Sequence, residues 1–244
     1  MSAEDKTILT IYGPAGIGKT TLIATAINDD RTNPALLVNF EANTMAIRSK
    51  AHPVGLQDFL EGNTEPEEGK ITVITIRDFD DFDPVIDYLG NDTVYKFVGV
   101  DSLSEIHYMA IRHAIATDPK KSRGRHDAPE WSDYNRAIQV MRELIRAFRD
   151  MDKHVIVTAH CKNEKDEMSG ILRTDLGLIG QFKDNVPYLT HATGYYHKDG
   201  DGDRVLTFEQ TNRLVAKDGT EGSLLESVDF VNPTVSKLLD TLGM

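Results

Sequence analysis

The run Gly13-Pro14-Ala15-Gly16-Ile17-Gly18-Lys19-Thr20 sets glycines, a lysine and a hydroxyl at the Gly-x4-Gly-Lys-Thr spacing that wraps a chain of phosphates. Glycine permits the backbone conformations that aim successive N–H groups at one anion, and a helix starting just behind the loop adds its positive end. Lys19 brings a cation to the β- and γ-phosphates and Thr20 a hydroxyl ligand to Mg²⁺; Thr21 joins the phosphate-binding set. Residues 7–12 ahead of the loop, mainly apolar, read as a buried strand and residues 20–28 behind it as a helix, which is the context this motif requires.

A second carboxylate must stand near that metal. Asp101 ends the apolar strand read over residues 95–100, where it can hold Mg²⁺ through water; the alternative is a plain helix N-cap, since Asp101 or Ser102 could cap the helix near residues 103–110. Hydrolysis also needs a group that positions the attacking water. Many ring-forming ATPases carry a glutamate directly after the metal-binding aspartate, but here Ser102 occupies that place. Glu41, closing the strand read over residues 35–40, is the substitute; the alternative is a solvated loop glutamate. His160 ends the strand read over residues 154–159, where it can sense the γ-phosphate or simply pack.

These residues need a scaffold of strand ends on one edge. Further strands read over residues 71–76, 188–196 and 204–211, the last two joined by the Asp199-Gly200-Asp201-Gly202-Asp203 turn. Helices read near residues 84–89 and over residues 132–150, where Ala137, Ile138, Met141, Leu144, Ile145 and Phe148 share one face. Residues 61–69 and 117–130 read as polar loops. Strands alternating with helices imply an α/β fold with a mainly parallel sheet covered on both faces, in one domain over residues 1–244.

At 244 residues one large core is expected, and one cysteine, Cys161, rules out an internal disulfide. No apolar run approaches the roughly 20 residues of a membrane span, and the polar start of the chain lacks a secretory signal, so a cytoplasmic location is expected. The net charge of −12 repels nucleic acid at long range, so any polyanion must be held by a local basic patch or by a face made on assembly.

With these residues in place, the chain resembles the RecA-like P-loop ATPases. The likeness is closest to the small phage ATPases of recombination and single-strand annealing. The residues that carry it are the loop from Gly13 to Thr20, Glu41, Val98-Gly99-Val100-Asp101-Ser102, Val157-Thr158-Ala159-His160 and Ala216-Lys217-Asp218. The resemblance implies a RecA-like core with antiparallel C-terminal strands, ATP as nucleotide, Mg²⁺ as cofactor and single-stranded DNA as partner. It further implies a homo-oligomer, ring or filament, acting with a single-strand-binding protein in the cytoplasm of an infected bacterial host. Lys19, Glu41 and His160 become catalytic in this frame, and His160 couples the γ-phosphate to a following DNA loop. Lys217, with Arg213 second, becomes the cation that reaches a neighbour's ATP; the alternative is a surface lysine in a turn. DNA would meet Lys120, Lys121, Arg123 and Arg125, and a second segment carrying Lys162, Lys165 and Arg173, with Trp131 nearby for stacking. The first strand begins close to Met1, so no N-terminal polymerisation arm is expected.

Other motifs do not extend this reading. The run from Asp199 fails as a calcium loop because Arg204 and Gln210 fall where glycine and glutamate are needed. Asp78, Asp80, Asp81 and Asp83 suit a helix N-terminus, and His160-Cys161 has no companions at zinc spacing. Two rival functions remain: an ATP-gated assembly or regulatory module acting on a protein partner, and a small-metabolite kinase, which lacks an arginine-rich lid.

Overall fold

The computed structural model describes residues 6–41, 44–92, 94–118, 124, 126–165 and 170–244. In chain order the elements are β1 (Ile8–Gly13), α1 (Lys19–Ile23), β2 (Ala35–Asn39), β3 (Ala51–Pro53), α2 (Leu56–Leu60), β4 (Ile71–Thr75), α3 (Phe82–Asn91), β5 (Phe97–Asp101) and α4 (Leu103–Ala116). They continue as α5 (Trp131–Asp150), β6 (His154–Lys165), β7 (Leu172–Leu176), α6 (Phe182–Leu189), β8 (Ala192–Lys198), β9 (Arg204–Thr207), β10 (Lys217–Asp218), β11 (Phe230–Val231) and α7 (Val235–Thr241).

The sheet runs β11-β9-β8-β1-β6-β5-β2-β4-β3, with β10 on β8 and β7 on β6. From β8 to β3 every neighbouring pair along that path is parallel, and β9, β10 and β11 are antiparallel additions at the C-terminal side. The α/β class, the parallel core and the antiparallel C-terminal strands are therefore as the sequence predicts.

Strand β1 shows why the core strands read as continuous apolar runs. Ile8 and Tyr12 enter an apolar layer shared with α3, α4, α5 and α6, while Leu9 and Ile11 enter another shared with α1 and α7. Both faces are covered, so all six residues are buried. Helix α5 presents the expected stripe: Ala137, Met141, Leu144, Ile145 and Phe148 are buried.

Four sequence expectations change, the first being that the strand expected over residues 204–211 stops at Thr207. The helix expected over residues 20–28 is α1 followed by a 3-10 turn, Ala24–Asn28. The strand expected from Tyr188 is the end of α6, because Phe182 and Val186 recur at helical spacing and bury one face; β8 starts only at Ala192. The strand expected to stop at Ala159 runs on to Lys165, leaving the covered core and pairing antiparallel with β7. Its outer half is polar because the far end of that hairpin leaves the core, while the near end still reaches it through Leu176. Among the described residues no helix is long and apolar enough to cross a membrane.

Candidate nucleotide site

Register brings the site together. Gly13 at the end of β1 lies level with His160 on β6, and Asp101 at the end of β5 lies level with Asn39 on β2, two residues before Glu41. Because β1, β6, β5 and β2 are successive neighbours, Gly13, His160, Asp101 and Glu41 line one edge of the sheet in that spatial order. This is the crevice beyond the carboxyl ends of parallel strands, where α/β folds place ligands.

The loop leaves β1 at Gly13, where a side chain has no room: a Cβ would lie 2.1 Å from the Tyr196 carbonyl oxygen. Gly18 holds φ +107°, a conformation side chains resist, and serves as N-cap of α1. Lys19 is 7% exposed, and its ammonium donates to the carbonyls of Gly13 (3.0 Å) and Pro14 (3.1 Å), which keeps it within the loop. Burial pushes its pKa down, while Asp101 and Glu41 oppose that shift.

Asp101 is 2% exposed and its two oxygens are used separately. Thr20 Oγ1 donates to Oδ2 at 2.5 Å and Thr158 Oγ1 donates to Oδ1 at 2.5 Å. Burial raises the Asp101 pKa against these two hydrogen bonds. Of the two capping candidates Ser102, not Asp101, is the N-cap of α4, and its hydroxyl donates elsewhere, to Glu41 Oε1 at 2.6 Å. A buried carboxylate beside a threonine hydroxyl is a hard-oxygen donor pair suited to Mg²⁺. Among the described residues no group of three or more His, Cys, Asp or Glu forms a separate metal cluster.

Glu41 and His160 form a second unit. His160 Nε2 lies 2.8 Å from Glu41 Oε1, the oxygen that also accepts from Ser102. The hydrogen bond from His160 holds the Glu41 carboxyl below its usual range, and the same bond lifts the imidazole pKa. Both shifts favour the charged form of each group. The His160 backbone is pinned from two sides: its N–H donates to Ser104 Oγ (3.0 Å), and its carbonyl accepts from Gly177 N–H (2.7 Å), one residue past β7. Its side chain thus faces Glu41 while its backbone opens the β6–β7 hairpin.

The other predicted residues lie apart from this cluster. Lys217 on β10 lies level with Thr193, beside Thr10 in the middle of β1; its ammonium donates to the carbonyls of Pro187 (2.7 Å) and Thr190 (3.4 Å). Arg213 is exposed, and among the described residues only its backbone is bound, through Thr174 N–H and Thr211 Oγ1. On the hairpin Lys162 pairs with Glu164 (2.8 Å), whose other oxygen takes Lys183 (2.7 Å). Trp131 is 79% exposed at the start of α5. Lys120, Lys121, Arg123 and Arg125 lie outside the described residues. The turn from Asp199 closes as expected, with the Asp199 carboxylate accepting from the backbone N–H groups of Asp201 and Asp203.

Sequence reading missed three participants. Thr158 and Ser102 orient Asp101 and Glu41, and Arg204 on β9 donates from Nε to the Ile17 carbonyl in the loop at 2.7 Å. The two hydroxyls could have been sought beside the strand-end acids. Arg204 gives no local signal, because only folding brings it to a loop 187 residues away.

A parallel α/β sheet carrying a phosphate-binding loop, with a carboxylate on the threonine behind it, defines a P-loop nucleotide-binding protein of the ATPase type. The chain matches the family model described as AAA domain over residues 5–220, and it belongs to that family. No curated protein matches it.

Proposed function

We propose that this protein binds and hydrolyses ATP with Mg²⁺ and uses that cycle to hold single-stranded DNA for annealing or strand exchange in phage recombination. Gly13, Pro14, Ala15, Gly16, Ile17, Gly18, Lys19, Thr20 and Thr21 take the triphosphate. Thr20 and Asp101 would hold Mg²⁺, which supplies charge neutralisation at the β- and γ-phosphates. Glu41 orients the attacking water and accepts its proton, with Ser102 and His160 fixing the carboxylate through Oε1. The observation that carries the reading is the double attachment of His160. Its ring rests on the candidate base and its backbone begins the hairpin that bears Lys162, Lys165 and Arg173. A change at the γ-phosphate that disturbs Glu41 is thereby passed to a surface able to meet a polyanion.

A neighbouring copy would supply the remaining cation. Arg213 is the freer of the two candidates, since Lys217 is bonded within its own chain. The experiment is steady-state ATP hydrolysis alone and with single- or double-stranded DNA, with Lys19→Ala as control. Stimulation by single strands that disappears in the variant is the expected result; hydrolysis indifferent to DNA refutes the DNA role.

Two observations favour a second reading, an ATP-gated module acting on a protein partner. The chain carries −12 net charge, and Lys162 on the hairpin is already paired with Glu164. Failure of DNA to bind in the presence of a non-hydrolysed ATP analogue would select it.

A further inference from the structure

The geometry points to Arg204 as a positioning residue of the nucleotide site, one that fixes the outward face of the phosphate loop and thereby sets nucleotide affinity; this rests on the loop binding a nucleotide. Arg204 Nε donates to the Ile17 carbonyl at 2.7 Å. In a trans peptide the carbonyl and the following N–H point in opposite directions. Holding the Ile17 oxygen outward therefore turns the Gly18 N–H the other way, into the loop, where phosphate oxygens accept such donors.

That peptide is the one most in need of an external hold. Gly18 at φ +107° has wide backbone freedom, and Gly16 two residues earlier also sits at positive φ. Without a fixed carbonyl the Ile17–Gly18 unit could turn its N–H away from the ligand. Arg204 is also packed closely against it: a Cβ on Gly18 would lie 3.3 Å from Arg204 Nε and 3.7 Å from its Cδ.

The arginine is itself held in place. Its residue pairs with Lys198 across β8 and β9, and on the other side its carbonyl accepts from Asn232 N–H at 2.7 Å. Asn232 Nδ2 reaches back to the Asp203 carboxylate at 3.2 Å. The guanidinium thus projects from a strand fixed on both edges, and among the described residues its terminal nitrogens take no hydrogen bond. The donor is charged, which makes the bond shorter and stronger than a neutral one. Arg204 on β9 lies on the β8 side of β1, whereas His160, Asp101 and Glu41 stand at the ends of β6, β5 and β2 on its other side, so it acts on binding and not on the chemical step.

The test uses Arg204→Met, which keeps the aliphatic stem and removes the donor, and Arg204→Lys, whose ammonium can still reach the carbonyl. ATP and ADP dissociation constants are measured by calorimetry alongside kcat and KM, with Lys19→Ala as the control for nucleotide binding itself. Expected are a roughly tenfold rise in both dissociation constants and in KM for Arg204→Met, kcat within about twofold, and substantial recovery in Arg204→Lys. Thermal unfolding without nucleotide should match the parent. Arg204→Met affinity within about twofold of the parent overturns the proposal, as does a fall in kcat with KM unchanged. If the parent chain binds no nucleotide, the site assignment fails instead, and the Lys19 control separates the two outcomes.

Discussion

Glu41 is held by two donors on a single oxygen, Ser102 Oγ and His160 Nε2, and among the described residues Oε2 takes none. An oxygen left in this way can receive a proton from water while the carboxylate stays fixed. Glu41→Gln should therefore abolish turnover and leave ATP affinity nearly unchanged, as read by hydrolysis and calorimetry on one preparation. Turnover at the parent rate would remove Glu41 from the mechanism. The pair also predicts a pH dependence. His160 has a raised pKa, so its folded form holds the proton more tightly, and its contribution is present below the ordinary histidine range and lost as pH rises through the folded value. Glu41 is lowered, so its share is present above the ordinary carboxylate range and lost as pH falls through its folded value. The difference in melting temperature between the parent and His160→Gln should peak in mildly acidic solution and shrink in alkaline buffer. A difference constant with pH would show that the ion pair contributes nothing.

At the scale of elements, the site depends on how closely α1 lies on β5. Gly99 makes that approach possible: a Cβ there would lie 2.4 Å from Ile23 Cγ2. Both residues are in secondary structure with little freedom to shift, so Gly99→Ala must push α1 off the sheet. Overpacking of this kind costs roughly 1–3 kcal/mol, which urea unfolding would detect. Thr20 on α1 donates to Asp101 two residues beyond Gly99. The same displacement should therefore weaken Mg²⁺-dependent hydrolysis more than it weakens folding. A Gly99→Ala chain with parent stability would mean that α1 has more play than its packing indicates.

For the whole molecule, the site has its loop, the acid bonded to Thr20 and the candidate base within one chain, but neither Lys217 nor Arg213 lies in that cluster. If Arg213 serves the neighbouring copy, Arg213→Ala and Lys19→Ala chains should each be inactive alone. Mixed, they should recover activity, because a Lys19→Ala copy lends its arginine to an intact loop. The recovery should accompany a larger species in sedimentation, and a mixture that stays inactive would argue against a shared site.

The sequence by itself determined the phosphate loop, because its function lies in backbone conformations set by glycines at short spacing. It also determined the parallel core, because strands covered on both faces must be mostly apolar, as Ile8, Leu9, Ile11 and Tyr12 of β1 are, with Thr10 the one buried polar side chain among them. Asp101 and Glu41 were legible for the same reason, as acids ending buried runs. Only the tertiary structure decided which strand ends become neighbours, and hence that His160 meets Glu41 and Thr158 meets Asp101. Strand order is a long-range choice with no local mark. It likewise decided that residues 160–165 extend β6, that Tyr188 and Leu189 belong to α6, and that Lys217 is bonded to its own chain. In each case the deciding interaction comes from packing between residues far apart in sequence. Arg204 shows this most fully: its type is common and its surroundings are a turn, but the folded sheet delivers it to the carbonyl of Ile17.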